Sequence, residues 1–357
     1  MSDAGDGDVE GGGDVPRLAD SLPGIGGHLK ELAEDFQVVE VPLYPASGEG
    51  GHVYLTLRRS GWTTPDVQAE LMRIFRLEKD AVGFAGMKDR HALTTQTFSL
   101  ALGDEVTAEE VRLRVEGESP FSVLEVKRHG NKLKLGHLLG NRFLLRVRGA
   151  APDALERVRP ILDLVRLHGV PNAFGPQRFG LDGANARKGR ALLGGRRERR
   201  KFLRRLYLSA WQARVFNAWL ARRMRAGEFD RLLEGDVAKK TDTGGLFTVT
   251  DPTEDTARLH RGEIVPTGPL FGFRMRAALG EPGRVEEEML AAEGVDKNAL
   301  RRLRVAGDRR RARIDPKDLE VTWEPDGPVF SFELPKGAYA TVVMREFLGD
   351  PESTAVP

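Results

Sequence analysis

Residues 52–59 read HVYLTLRR, with Val53, Leu55 and Leu57 alternating against Tyr54, Thr56 and Arg58. A period of two is the mark of a strand with one face on a core. RFLLRVRG, residues 142–149, repeats it: Phe143, Leu145 and Val147 fall on one side, and Arg142, Leu144, Arg146 and Arg148 on the other. DFQVVEVPLY (35–44), TQTFSLAL (95–102) and FSVLEVKRH (121–129) are rich in β-branched and aromatic residues and predict further strands. Between them the period changes. TPDVQAELMRIFRLE (64–78) places Val67, Leu71, Ile74 and Phe75 on one helical face, with Asp66 near its start.

From about residue 150 the helical period dominates. PDALERVRPILDLVRLHG (152–169) and SAWQARVFNAWLARRM (209–224) both show three-to-four spacing, the second through Trp211, Val215, Trp219 and Leu220. Short strands return in GGLFTVTD (244–251) and PTGPLFG (266–272). An arginine-laden stretch then reads as helical to about residue 313. LEVTWEP (319–325) and VFSFELP (329–335) close the chain as strands, before KGAYATVVMREFL. Strands at both ends around a mixed middle predict an α+β chain, one sheet domain interrupted by an insertion.

Composition adjusts this picture in three places. The length, 357 residues, suits two domains. The net charge is only +2, from 55 basic against 53 acidic residues, but the signs are segregated. MSDAGDGDVEGGGD at the start is acidic and glycine-rich, so a disordered tail is expected over residues 1–20. Cysteine is absent, which excludes disulfides, thiolate zinc sites and cysteine nucleophiles and fits a reducing compartment. No apolar run approaches the roughly 18 residues of a membrane span. An acidic start is the wrong sign for a signal peptide. A soluble cytoplasmic protein is expected.

The basic residues gather in three clusters. Lys127 to Arg148 holds seven Lys/Arg and no acid, Arg187 to Arg205 holds ten with one Glu, and Arg301 to Arg313 holds seven with one Asp. Single clusters often are solvated faces, but three together favour a nucleic acid, gripped through its phosphates. Lys127, Arg128, Lys132, Lys134 and Arg142 are the candidate backbone contacts of the first. Phe143 and Tyr339, the latter in KGAYAT, are candidates to stack on unpaired bases.

Familiar cofactor signatures are missing. No GxxxxGK[ST] loop occurs, GIGGHL has Leu29 where a dinucleotide fold needs glycine, no histidine pair has metal spacing, and no GxSxG elbow appears. Chemistry without cofactor or metal then falls to ordinary side chains. AVGFAGMKDRHALTTQTFSL, residues 81–100, offers Asp89 between Lys88 and Arg90 in a glycine-rich turn. Such neighbours favour the ionised carboxylate, which can act as nucleophile or base at a sugar carbon. Two rivals stand beside this reading. One is an RNA-binding or chaperone protein without catalysis. The other is a hydrolytic glycosidic enzyme, with Glu34 or Glu40 as a second carboxylate.

The segment FAGMKDRHALTTQ resembles the catalytic segment of the TruD family of tRNA pseudouridine synthases. EDFQVVE, RHGNKLKLGHLLGNRF, GVPNAFGPQRFG, LSAWQARVFN and LPKGAYATVVMREF resemble further family motifs in the same order. The resemblance implies a mainly antiparallel, mixed pseudouridine-synthase sheet domain (21–158 and 310–357) with an inserted α/β TRUD domain (160–308). It implies conversion of uridine to pseudouridine at position 13 of tRNA, by a monomer needing neither cofactor, metal nor membrane. Asp89 would be the catalytic carboxylate. Phe36, Asn141 and Tyr339 would contact the nucleoside, Phe143 would lie near the extruded base, and Lys30 and Lys88 would be phosphate or active-site partners. The chain departs from the pattern at Tyr339, where the family has Phe, and at Ala173, where it has Tyr.

Overall fold

The structure, a computed structural model, describes residues 15–349. The acidic start through residue 14 lies outside them. In chain order come β1 (Phe36–Pro42), β2 (His52–Arg59), α1 (Thr64–Phe75), β3 (Val82–Phe84), β4 (Leu93–Leu100), α2 (Ala108–Glu118), β5 (Ser122–His129) and β6 (Leu138–Arg146). Next are α3 (Ala154–His168), β7 (Val170–Pro171), α4 (Ala184–Leu193), α5 (Lys201–Arg225), β8 (Val237–Lys240), β9 (Leu246–Thr248), α6 (Pro252–His260) and β10 (Ile264–Leu270). α7 (Gly280–Ala292), α8 (Lys297–Arg302), β11 (Asp308–Arg311), β12 (Arg313–Ile314), β13 (Lys317–Glu324), β14 (Gly327–Pro335) and α9 (Ala340–Leu348) complete the chain.

The chain divides into two compact units, with boundaries after residues 24, 156, 315 and 340. The first, residues 25–156 with 316–340, is an eight-stranded sheet in the order β13-β14-β6-β1-β4-β2-β5, with β3 beside β4. Its pairs are antiparallel except β1 with β4. The alternation read in the sequence is obeyed: Phe143, Leu145 and Val147 are buried while Arg142 and Leu144 are exposed. α1 begins with a capping box, in which Thr63 accepts from the Asp66 amide and Asp66 accepts in return. Its Val67, Leu71, Ile74 and Phe75 pack with Val53, Leu55 and Leu57 of β2 and Phe98 and Leu100 of β4.

The second unit carries the antiparallel sheet β11-β10-β8-β9 and the small β7–β12 pair. α5 supplies Trp211, Phe216, Trp219 and Leu220 to its apolar clusters. Three sequence expectations change here. Residues 15–20 are not a disordered tail: Val15 and Ala19 are buried, Arg17 donates to the Glu346 carbonyl, and the Ala19 amide donates to the Glu346 carboxylate. That anchoring goes with the placing of residues 341–349 in this unit rather than with the sheet domain, and pairing with β10 and β7 does the same for 310–315. The stretch read as helical to residue 313 ends as strands β11 and β12, because its arginines are internal. Arg309 and Glu286 pair at 2.7 Å with side chains 1% and 5% exposed. A buried Arg reads as polar, so the strand period is masked.

Candidate active site

The site is built on one face of the first unit's sheet. Directly paired residues share a face, so the registers Val38↔Phe143, Glu40↔Asn141 and Phe332↔Phe143 put Phe36, Glu40, Asn141, Phe143 and Phe332 together. The rings of Phe36 and Phe143 meet edge-on at 6.3 Å, and Phe143 and Phe332 lie 5.6 Å apart. Glycine is required beside Asn141, because a Cβ on Gly140 would collide with the Leu334 carbonyl oxygen. The amide oxygen of Asn141 is buried without a hydrogen-bond partner. Buried polar atoms are rarely left so, and such an orphan marks a place where a ligand can bond.

Asp89 lies in the loop between β3 and β4. Its Oδ1 accepts from the His91 amide at 3.0 Å, which turns the chain sharply, and its Oδ2 accepts from Lys30 Nζ at 2.6 Å. Partial burial of the carboxyl raises its pKa, but the Lys30 ammonium and the His91 amide more than offset this. Asp89 is therefore held below the ordinary aspartate value. Its side chain is still 40% exposed, so the ionised oxygens can be approached.

Lys30 comes from 59 residues away and is placed by its own loop. It adopts a left-handed backbone conformation, φ 66°. Reciprocal bonds between His28 and Arg148 fix one side of the turn. On the other, Asp35, 1% exposed, accepts from Arg148 at 2.7 and 2.9 Å and from the Leu32 amide. The Arg148 hydrogen bond chiefly holds Asp35 low in pKa. From this anchored turn the Lys30 ammonium sits 4.3 Å over the Phe36 ring while bonding Asp89.

The residues that flank Asp89 in sequence do not hold its charge. Lys88, expected as a phosphate or substrate contact, is turned inward. Its ammonium bonds Glu40 at 2.5 Å with both side chains almost sealed, and its amide donates to Thr64 Oγ1. Gln96 bonds the Gly86 carbonyl at 2.7 Å and reaches Glu40, while Arg59 donates to Thr64 and Gln96. Burial pushes Arg59 down to about 10, and its Nε and Nη1 have no partner. Arg90 also points away, with its Nε bonded to the Gly61 carbonyl. Arg59, Thr64 and Gln96 were not singled out from the sequence. The available signal was a polar residue at an inward position of a strand, as at Gln96.

The first basic cluster is mostly committed within the protein. Arg128 clamps the carbonyls of residues 103, 104 and 106, and Lys132 bonds the Asp80 carbonyl, so both are engaged within the protein. Lys127 pairs with Glu125, and Arg142 with Glu333 at 2.6 Å, though both remain exposed. Lys134 is exposed without an ion pair among the described residues. Tyr339 is 42% exposed, in the turn after β14, whose Pro335 pairs with Gly140. In the second unit the PNAFGPQRF signature is a packing device. Asn172 bonds the Arg311 carbonyl and the Arg310 side chain, Phe174 exchanges two bonds with Asn217, and Arg310 stacks 3.9 Å over Phe174. Ala173 packs in the same apolar cluster as Phe216 and Trp219.

Among the described residues no group of His, Asp and Glu is arranged to hold a metal, and no helix is long and apolar enough to cross a membrane. The family model described as tRNA pseudouridine synthase D (TruD) matches residues 15–202 and 197–347. A tRNA pseudouridine synthase D of Anaeromyxobacter sp. (strain Fw109-5) is 46% identical over 346 residues, covering 94% of this chain and 96% of that one. A tRNA pseudouridine synthase D of Thermus thermophilus is 40% identical over 334 residues, covering 93% and 92%. A crystal structure of the putative tRNA pseudouridine synthase D from Methanosarcina mazei superposes with a TM-score of 0.78 at 25% identity, over 96% of this chain and 98% of that one.

Proposed function

The chain belongs to the TruD family of tRNA pseudouridine synthases, and from that premise we propose that Asp89 is the carboxylate that isomerises uridine, at position 13 of tRNA. The observation that carries this is the Asp89 carboxylate itself, ionised by a dedicated lysine and an amide yet open on one side. The reaction breaks the bond between ribose C1′ and uracil N1 and forms one between C1′ and C5. The C5 proton departs to water while N1 takes up a proton, so the product is an isomer and no redox equivalent is needed. Asp89 serves either route, attack on C1′ or removal of a ribose proton to give a glycal.

A stacked uracil must leave the helix first, at a cost of a few kcal/mol. Tyr339 stacks on the extruded base, and the unpaired amide oxygen of Asn141 bonds its edge. Phe36 and Phe143 supply the apolar wall, with Lys30 above Phe36. Lys134 contacts the RNA backbone, as do Lys127 and Arg142 where phosphates displace their glutamates. The enzyme works in the cytoplasm as a monomer without a cofactor. A hydrolytic role through Glu40 fits less well, because Glu40 is tied to Lys88 and Gln96 and is not free to activate water; Glu34 is exposed, and product analysis tests a role for it.

The test is tritium release from tRNA transcripts labelled at uracil C5, with Asp89→Asn in parallel and pseudouridine mapped in the product. Wild type is expected to release tritium and modify position 13. Asp89→Asn should release none while binding tRNA within a few-fold of wild type. Full turnover by Asp89→Asn would end the assignment. Free uracil would favour hydrolysis, and binding without release a non-catalytic RNA-binding role.

A further inference from the structure

The second unit holds a basic surface unlike the other two clusters. Arg196 to Arg200 form a strap with neither helix nor strand, joining α4 to α5. Arg196, Arg197, Arg199, Lys201 and Arg205 are all exposed, and none makes an ion pair among the described residues. The one acid of the stretch, Glu198, is taken by Arg200 at 3.2 Å. Elsewhere on this unit several exposed arginines are matched by glutamates, as Arg222 with Glu288, Arg231 with Glu228, Arg261 with Glu254 and Arg284 with Glu281, while others such as Arg159, Arg301 and Arg304 stand singly or in smaller groups. Here five cations stand uncompensated within ten residues, and their mutual repulsion favours binding of a polyanion.

Two further observations narrow the partner. Phe202, in the first turn of α5, is 75% exposed between Lys201 and, one helical turn on, Arg205. A large apolar ring raised among cations is the combination that holds an unpaired base, by stacking, beside its own phosphates. The first turn of α5 also contains no acid, and Arg200 offers no side-chain cap, so the positive end of a 25-residue helix adds to the field. Six residues from Arg196 extend at most about 20 Å, enough to follow several phosphates of one strand. An acidic protein would match the charge but gives no reason for the bare ring.

We propose that the strap Arg196–Lys201 with Phe202 is an RNA-docking surface that grips tRNA by its phosphates and stacks an unpaired nucleotide on Phe202. This rests on the tRNA-modifying function above. It adds a binding element on the unit that does not carry Asp89.

The test compares full-length wild type with a variant carrying Arg196→Ala, Arg197→Ala, Arg199→Ala and Lys201→Ala. A charge-matched control carries Arg222→Ala, Arg231→Ala, Arg261→Ala and Arg284→Ala, and circular dichroism confirms the fold of each. The probe is a tRNA transcript, titrated across a salt series. The strap variant is expected to bind at least tenfold more weakly and to lower the slope of log K against log salt by about three, with the defect in KM. The control should change neither by more than about twofold. Phe202→Leu should lose about fivefold in affinity and Phe202→Tyr very little, because a ring rather than apolar bulk is needed.

An unchanged slope in the strap variant, or an equal change in the control, overturns the docking surface. Equal binding by Phe202→Leu and wild type overturns the stacking. Wild type that neither binds tRNA nor forms pseudouridine would instead defeat the function on which the inference rests.

Discussion

Two lysines serve two carboxylates at the loop between β3 and β4, and their surroundings differ sharply. On the sealed side Lys88 meets Glu40 with side chains 3% and 4% exposed, braced by Gln96, Thr64 and Arg59. On the open side Lys30 meets Asp89 with 27% and 40% exposed. The same chemical pair does two jobs. Out of water, the Lys88–Glu40 pair fixes the loop's position and is costly to disturb. At the surface, the Lys30–Asp89 pair keeps a carboxylate ionised and leaves it within reach of a ligand. Adjacent positions in the chain thus belong to different machinery.

The largest effect should come from breaking the sealed side. Lys88→Met leaves Glu40 buried without its ion-pair partner, and a loss of about 3–5 kcal/mol in urea unfolding is expected. The double variant Lys88→Met with Glu40→Leu should regain most of that stability and, with it, turnover. A double variant that is stable yet inactive would move Lys88 to the reacting side and erase the contrast.

Smaller effects are expected on the open side. Removing the Lys30 ammonium takes away one of the two contacts that together outweigh burial, so Lys30→Met should raise the Asp89 pKa. In wild type the ionised carboxylate, and the stability its pair contributes, persist above the usual aspartate range and are lost as pH falls through the lowered value. The acid limb of kcat/KM should accordingly move to higher pH in Lys30→Met, by about tenfold in rate for each unit of displacement at pH below both limbs. An unmoved limb would detach Lys30 from the ionisation. Smaller again, Tyr339→Ala should lose roughly fivefold to tenfold in turnover from stacking, and Tyr339→Phe should stay within about twofold. Equal rates for all three would show that the exposed ring does not meet the base.

Much of the fold was legible where apolar positions kept one period. β2 occupies residues 52–59 as read, and α1 starts at Thr64 as read. α2 escaped notice because only Val111 and Val115 of its face are buried, although Thr107 and Glu110 spell its capping box. β11 was hidden because Arg309, paired inside with Glu286, breaks the apolar pattern. The arginine clusters carry the same lesson at larger scale. Residues 187–205 and 301–313 look alike as sequence, yet Arg196, Arg197 and Arg199 are open whereas Arg309, Arg310 and Arg313 bond inside the protein.

The sequence by itself determined most of the element types, the absence of thiol chemistry and the prominence of Asp89, because those depend on residue identity and local period. It also suggested that Asp89 is ionised, but through the wrong neighbours. Lys88 and Arg90 adjoin it in the chain and point elsewhere, toward Glu40 and the Gly61 carbonyl. Only the tertiary structure brought Lys30 across 59 residues to the carboxylate, and only the sheet register set Asn141 opposite Glu40. The physical reason is that electrostatic coupling falls with distance and solvent exposure through space, and separation along the chain records neither.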